Sequence, residues 1–351
     1  MMESKRPVVG ISMGDPNGIG PEIILKSLKE PMMLDLFLPV IYGSQRAFSH
    51  YKKLYGWEDI HLQYVKEGID RKSNKIQMVC IPDEGFTTQP GENTLPAGQL
   101  AVQSFCKAVA DLKSQVLDAL VTGPIHKQNT CSETFPFKGH TEYIAHVTGE
   151  SPLMMLCSGD ALRVALCTVH VPIKDVSGQL NQERLLWVIK KTRQTLMCDF
   201  KIQKPKIAVL GLNPHAGDQG LMGLEERDCI LPAIKHFPSD QLIFGPYSAD
   251  AFFGKSSYTM FDAVIAMYHD QGLIPFKMKA FYSGVNVSAG TDLIRTSPDH
   301  GTAFDIAGKN LAAPDSFREA LYMAVQIFKN RVYYASISKN PLPFQERRKE
   351  R

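Results

Sequence analysis

Three of the ten histidines in this 351-residue chain share one local setting. His170 follows Arg163-Val-Ala-Leu-Cys-Thr-Val169, His215 follows Ile207-Ala-Val-Leu-Gly-Leu-Asn-Pro214, and His269 follows Ala263-Val-Ile-Ala-Met-Tyr268. Each run is a short apolar strand signal, so each imidazole sits just past a strand's carboxyl end. In a parallel α/β sheet those ends share one edge, where ligands bind. Three neutral imidazoles there can converge on one divalent ion and leave positions open for a substrate. Taken singly, each also reads as an ordinary loop histidine. Asp270, beside His269, and Asp250, in Gly245-Pro-Tyr-Ser-Ala-Asp250, can orient an imidazole or move a proton; either also suits a turn or cap.

A second group has the chemistry of anion capture. Lys277, Asn286 and Arg295 supply a cation, an amide and a second cation that can grip phosphate and carboxylate. Lys277 also joins Asp250 and Asp270 as a candidate catalytic group. Gly139-His-Thr-Glu142 precedes the helical stretch Tyr143 to Val147, which puts His140 and Thr141 where a helix dipole favours an anion. A plain Thr cap is the competing reading. Gly14-Asp-Pro-Asn-Gly-Ile-Gly-Pro-Glu22 lies ahead of a helix that Pro21 and Glu22 suit, and fits either a loose phosphate cradle or a tight turn. It carries neither the GxGxxG spacing nor the Lys of a Walker loop. Asp299 to Asn310 is a polar, small-residue loop, and its glycines let a flat or charged ligand approach the backbone.

These residues need elements to hold them. Short Val/Ile/Leu runs alternate with longer segments of helical period, the mark of an α/β fold built largely on parallel strands. Strands are expected at Val8 to Met13, Ala119 to Thr122, Arg163 to Val169, Lys206 to Gly211, Gln241 to Phe244 and Ala263 to Met267. Leu100, Ala101, Phe105, Ala108, Val109 and Leu112 form one helical stripe. Asn181 can cap a helix with Leu185, Leu186, Ile189 and Leu196 inside. A last helix, about Ser316 to Tyr333, carries Phe317, Leu321, Ala324, Val325 and Phe328.

The chain length suits two lobes with a cleft between them. A hydrophobic content of 44% with 21% charged residues excludes a disordered chain. A well-mixed net charge of +3 gives no nucleic-acid or membrane footprint. The basic end Glu346 to Arg351 reads as a solvated terminus without function. Seven cysteines without a CxxC pair, among them Cys80, Cys106 and Cys167 in apolar contexts, read as buried free thiols of a cytoplasmic protein. No apolar run approaches the roughly 20 residues of a membrane span.

In chain order the motifs are Gly14-Asp-Pro-Asn-Gly-Ile-Gly-Pro-Glu22, Gly139-His-Thr-Glu142, Leu212-Asn-Pro-His-Ala-Gly217, Met267-Tyr-His-Asp-Gln-Gly272, Gly284-Val-Asn286, and Ile294-Arg-Thr-Ser297 followed by Asp299-His-Gly-Thr-Ala303. As a set they resemble the motif series of the 4-hydroxythreonine-4-phosphate dehydrogenase family. The segment His300 to Lys309 is similar to the adenosine-binding loop of isocitrate and isopropylmalate dehydrogenases. The resemblance implies their fold: two α/β lobes with a cleft and no standard Rossmann fingerprint. One lobe would comprise residues 1–125 plus 290–351 and carry the cofactor loop, and the other residues 126–289.

Residue by residue, the resemblance implies His170, His215 and His269 as ligands of one zinc, magnesium or cobalt ion. His140, Thr141, Lys277, Asn286 and Arg295 would contact substrate. Asp299, His300, Gly301, Thr302, Ala303 and Asp305 would hold NAD or NADP. A homodimer is implied, with ligands from both subunits meeting at one site. The implied reaction is metal-dependent oxidation of 4-phosphooxy-L-threonine at C3, the resulting β-keto acid losing carbon dioxide to give 3-amino-2-oxopropyl phosphate for pyridoxal 5'-phosphate synthesis. Competing readings are threonate or erythronate 4-phosphate as substrate, a metal-dependent lyase or hydrolase, and a binding protein for phosphorylated metabolites. The sequence departs from the family pattern at Gly290-Thr-Asp-Leu293, where Gly-Leu-Pro is expected, and this bears on the fine shape of the pocket.

Overall fold

The computed structural model describes residues 6–66, 68–159 and 162–340. The basic end Glu346 to Arg351 lies outside the described residues. The framework is one sheet of twelve strands: β1 Val8–Ser12, β2 Leu38–Gly43, β3 Leu62–Val65, β4 Ile76–Cys80, β5 Ala119–Thr122, β6 Leu153–Ser158, β7 Leu162–Leu166, β8 Ile207–Leu210, β9 Ile243–Tyr247, β10 Ala263–Ala266, β11 Val285–Ala289 and β12 Arg295–Pro298. Their order across the sheet is β3-β4-β2-β1-β5-β12-β11-β6-β7-β10-β8-β9.

Two runs of parallel strands meet in the middle of this sheet. β3, β4, β2, β1, β5 and β12 are parallel to one another. β11 is antiparallel to both β12 and β6, and β6 is antiparallel to β7. Three reversals leave β7, β10, β8 and β9 parallel among themselves and opposite to the first run. β7, β10 and β8 are direct neighbours, so the loops that carry His170, His269 and His215 leave the sheet side by side.

All six expected strands are present: β5 has the expected ends and the other five are shifted, most at β7, which stops at Leu166, and at β9, which runs on to Tyr247. β2, β3, β4, β6, β11 and β12 were not among them. The helix Leu95–Lys113 buries the whole expected stripe against the β1–β2 side of the sheet. The helix Gln182–Cys198 starts as expected, the Asn181 side chain accepting from the Arg184 amide at 2.8 Å. The last helix spans Asp315–Ile337 and packs on β12, β5 and β11. Among the described residues no helix is long and apolar enough to cross a membrane. All seven cysteines are free, but the expectation of burial fails at Cys80, which is exposed where β4 leaves the sheet, at the exposed Cys131, and at the half-buried Cys106 and Cys198. Cys167 is buried.

Candidate active site

A cavity of about 1160 Å³ opens where the two runs of strands meet. It is lined from the first run by Thr122 and the segment after β5, and by Arg295 with Ser297 to Gly301 on and after β12. Asn286 comes from β11 between the runs, and the second run supplies Cys167 to Val171 after β7 and His269, Leu273 and Lys277 on the helix His269–Ala280. The helix His140–Thr148 contributes His140, Thr141 and Glu142.

Arg295 is buried, with 4% of its surface exposed, and its guanidinium is held by protein on several sides. Nε and Nη2 donate to Thr122 Oγ1 at 3.1 and 2.7 Å, Nη1 donates to Ser288 Oγ at 3.4 Å, and Nη2 also donates to His140 Nδ1 at 3.1 Å. Burial pushes the guanidinium down to about 10, with Glu142 opposing. Most of its fork is therefore spent on the protein, and the two-pronged grip on ligand expected from an arginine is reduced to the free face of Nη1. The contact to Arg295 fixes the His140 tautomer: Nδ1 accepts, so Nε2 carries the hydrogen. Nε2 is buried without a partner, a donor in search of an acceptor. Burial, and after it Arg295, hold His140 well below its ordinary range, hence neutral. Its ring rests on Phe105 at 4.3 Å between centroids. Gly139, not Thr141, is the N-cap residue of this helix, and no side chain caps it.

Lys277 and Asp299 face each other at 3.8 Å. Asp299 belongs to the loop expected to hold cofactor, and that loop divides. Asp299, His300 and Gly301 line the cavity, whereas Thr302, Ala303 and Asp305 do not. Thr302 O accepts from the Ile19 amide at 3.0 Å, which fastens the loop to the Gly14–Glu22 segment. In that segment three more amides are satisfied within the protein: Asp15 N on Pro124 O, Asn17 N on Asp15 Oδ1, and Gly18 N on Asp15 O. With these amides turned inward on the protein, this part of the segment is built as a tight turn.

The three histidines are not gathered. His170 and His269 line the cavity with ring centroids 6.0 Å apart, and His215 is not part of its wall. Among the described residues no three His, Cys, Asp or Glu side chains stand close enough together to hold a metal ion. His215 begins a left-handed run, with φ of +54° there and +52°, +41° and +55° at Ala216, Asp218 and Gln219, and its side chain is exposed. Donor chemistry fits a metal at the other two. Asp270 Oδ1 lies 2.7 Å from His269 Nδ1, which leaves Nε2 free to ligate. Burial, and after it Lys127, hold His170 below its ordinary range against the pull of Glu142.

Asp250 and Asp270 are both exposed and outside the cavity wall. Asp270 orients His269. Asp250 accepts from Ser248 Oγ at 2.6 Å at the start of a short helix; that contact, with the Ala251 amide and His215, keeps its carboxyl below the ordinary range. Thr291 and Asp292, the departure from the family pattern, also lie off the cavity: Thr291 Oγ1 donates to Leu293 O at 3.0 Å, closing its own turn. The sequence reading passed over Lys127, Lys138, Glu142 and Arg184, all of which line the cavity. Lys127 stands past the carboxyl end of the expected strand Ala119 to Thr122, the same signal that marked the histidines.

A family model described as pyridoxal phosphate biosynthetic protein PdxA matches residues 35–324. The 4-hydroxythreonine-4-phosphate dehydrogenase of Bacteroides thetaiotaomicron is 41% identical over 344 residues, covering 97% of this chain and 94% of the relative. The solved structure of the 4-hydroxythreonine-4-phosphate dehydrogenase of Klebsiella pneumoniae is similar at a TM-score of 0.81 and 34% identity, covering 93% of this chain and 99% of that one. An isocitrate dehydrogenase from Methylococcus capsulatus, at 12% identity and a TM-score of 0.50, covers 95% of this chain and 89% of its own, a likeness of fold alone.

Proposed function

From the chain's membership of the pyridoxal phosphate biosynthetic protein PdxA family we propose that it oxidises 4-phosphooxy-L-threonine with NAD or NADP. The product, 2-amino-3-oxo-4-phosphooxybutanoate, decarboxylates to 3-amino-2-oxopropyl phosphate on the route to pyridoxal 5'-phosphate. The observation that carries this reading is the charge of the cavity. Lys127, Lys138, Arg184, Lys277 and Arg295 line it against only Glu142 and Asp299, while the buried Nε2–H of His140 has no acceptor of its own. Such a wall suits a small substrate bearing both phosphate and carboxylate.

In this reading His140, Thr141, Asn286 and Arg295 bind and orient the anionic ends, and Lys277 handles the proton of the C3 hydroxyl. His300 and Gly301 present the nucleotide to that carbon. A divalent ion held by His170, His269 and His215 would supply Lewis acidity at the hydroxyl oxygen. The exposed His215 supports a homodimer in which ligands from two chains complete the site. So does the unpartnered apolar stripe Ile274, Met278, Phe281 and Tyr282 beside the cavity. The division into residues 1–125 plus 290–351 and residues 126–289 is supported by the strand order, since each segment supplies six neighbouring strands. Free cysteines throughout support the cytoplasm as its compartment.

The test is nicotinamide reduction by the purified protein with 4-phosphooxy-L-threonine, with and without chelator, against erythronate 4-phosphate as competitor substrate. Reduction that needs metal and prefers the amino substrate supports the reading. A higher rate on the sugar-acid phosphate, or no reduction with either, overturns it.

A further inference from the structure

Neither Asp250 nor Asp270 reaches the cavity, so its proton chemistry falls to groups on its own wall. The carboxylates there are Glu142, near Arg295 and His170, and Asp299, facing Lys277. We propose that Asp299 is a positioning residue for Lys277, the two forming the proton-transfer pair of the site, and not a nucleotide contact. The proposal rests on the dehydrogenase reading and deepens it.

Three features set Asp299 against Lys277. Its side chain is 15% exposed, and its Oδ2 lies 3.8 Å from Lys277 Nζ. Its backbone is pinned, with the Asp299 amide 3.2 Å from both Gly284 O and Ser316 Oγ, and Ser316 Oγ donating to Gly284 O at 2.6 Å. Gly284 itself seats against the helix that carries Lys277: a Cβ there would meet Phe276 at 2.9 Å and Ala280 O at 3.1 Å. The carboxylate and the lysine therefore belong to one rigid corner. Burial raises the Asp299 carboxyl, and Lys277 and then His269 draw it back. The other charged or titratable groups on the cavity wall are His269 on the lysine's own helix, His300 beside Asp299, Arg295 on β12, His140 and Glu142 on the helix His140–Thr148, Cys167 and His170 after β7, and Lys127, Lys138 and Arg184.

The pair can use one proton twice. Neutral Lys277 takes the proton from the C3 hydroxyl as the C3–H bond gives its hydride to the nicotinamide, which is thereby reduced. When the C–C bond to the carboxylate breaks and carbon dioxide leaves with neither electron of that bond, the carbon left behind takes the proton back from the Lys277 ammonium. Substrate and oxidised nucleotide thus become ketone, carbon dioxide and reduced nucleotide with no net proton exchanged by the lysine. Asp299 holds the ammonium form between the two steps.

The experiment compares wild type with Asp299→Asn and Lys277→Met. Lys277 is titrated in substrate-free protein by NMR after reductive carbon-13 methylation, and the pH dependence of kcat/KM is measured alongside. Asp299→Asn should shift the Lys277 titration to lower pH and carry the rising limb of the rate profile with it, while KM for the nucleotide keeps its wild-type value. Lys277→Met should shift the Asp299 carboxyl titration to higher pH, the reciprocal of the same coupling. An unmoved Lys277 titration in Asp299→Asn, or an unmoved rate limb with a raised nucleotide KM, overturns the proposal and returns Asp299 to the cofactor. The titrations need no substrate, so an error in substrate identity does not disguise the result.

Discussion

Replacing Arg295 by Met should weaken anion capture by roughly ten- to a hundredfold while leaving the ligand-free fold nearly as stable as before. No carboxylate among the described residues forms an ion pair with Arg295, although it is almost fully buried. Burial pushes the guanidinium down to about 10. At about 1.4 kcal/mol per tenfold change, this is a penalty of roughly 3 kcal/mol on the charged form, relieved when the charge is removed. Against that relief stand the hydrogen bonds lost. Thr122 and Ser288 can turn their hydroxyls elsewhere, but His140 Nδ1 loses its donor, at a cost of about 1 to 3 kcal/mol. The two sides nearly cancel, so urea unfolding of Arg295→Met should give a stability within about 2 kcal/mol of wild type, against the 3 to 5 kcal/mol typical of breaking a buried ion pair.

Binding should respond differently. One charge-assisted contact contributes about 1.5 to 3 kcal/mol, so affinity for inorganic phosphate should fall by roughly ten- to a hundredfold, and a correspondingly higher phosphate concentration should be needed to raise the unfolding midpoint. Arg295→Lys should lose a similar factor, since a lysine cannot make the several anchoring bonds and still reach ligand. A ligand-free loss beyond about 4 kcal/mol would make Arg295 a structural brace. Wild-type phosphate affinity in Arg295→Met would place the anion elsewhere in the cavity.

Gly301 has an ordinary backbone conformation, and a Cβ there meets nothing within 4 Å, so Gly301→Val should fold normally yet lose nucleotide affinity by calorimetry; equal affinity would make the loop a connector. His170→Ala and His269→Ala should each lower bound metal and activity together, and if ligands come from two chains, mixing His170→Ala with His215→Ala subunits should restore part of both. Mixtures as inactive as either parent would confine the metal to one chain. His140 titrates below its unfolded value of about 6.5, so its contribution to stability is present above that pH and is lost as pH falls through it toward the depressed folded value. Urea unfolding at several pH values should show His140→Gln flattening the acid-side slope by about one proton, near 1.4 kcal/mol per pH unit, and an unchanged slope would show that His140 is not the group responsible.

The sequence made the neighbourhood of β7, β8 and β10 legible because each is a buried apolar run ending at a histidine, and the topology does place these strands side by side. It did not reveal whether the side chains converge. His215 sits in a left-handed turn whose geometry depends on loop packing, as where Glu226 Oε1 accepts from the Asn213 amide at 2.7 Å, and no periodicity encodes that. β11 and β12 escaped because their residues serve the site: Asn286, Ser288, Arg295 and Ser297 interrupt the apolar pattern that marks a strand. Lys277 and Asp299 were found separately, one as a cation and the other as a cofactor residue. Their pairing depends on contacts between Gly284, Ser316 and the helix His269–Ala280, which are remote in sequence.

The same hairpin explains why the departure at Thr291 and Asp292 need not alter the pocket. β11 and β12 carry Asn286, Ser288 and Arg295 toward the cavity, and their connecting turn is fastened at the opposite end. Lys191 Nζ donates to Gly290 O at 2.6 Å, and Arg331 Nη1 donates to Asp292 O at 2.7 Å. Arg331 also makes a two-pronged contact with Asp199, at 2.6 and 3.0 Å, and Asn330 Nδ2 donates to Asp199 O at 2.6 Å. Lys191 and Asp199 belong to the helix Gln182–Cys198 and its C-cap, which pack beneath β6, β7 and β10, whereas Arg331 belongs to the helix Asp315–Ile337, beneath β5 and β12. The turn is thus clamped by both halves of the sheet at the end remote from the cavity. The clamp takes hold of backbone carbonyls at Gly290 and Asp292, which any residue provides. The Asp292 side chain is exposed and the Thr291 hydroxyl bonds only carbonyls of its own turn, at Leu293 and Ser288; what positions Arg295 is the register of β12 against β5 and β11 and the hydroxyls of Thr122 and Ser288.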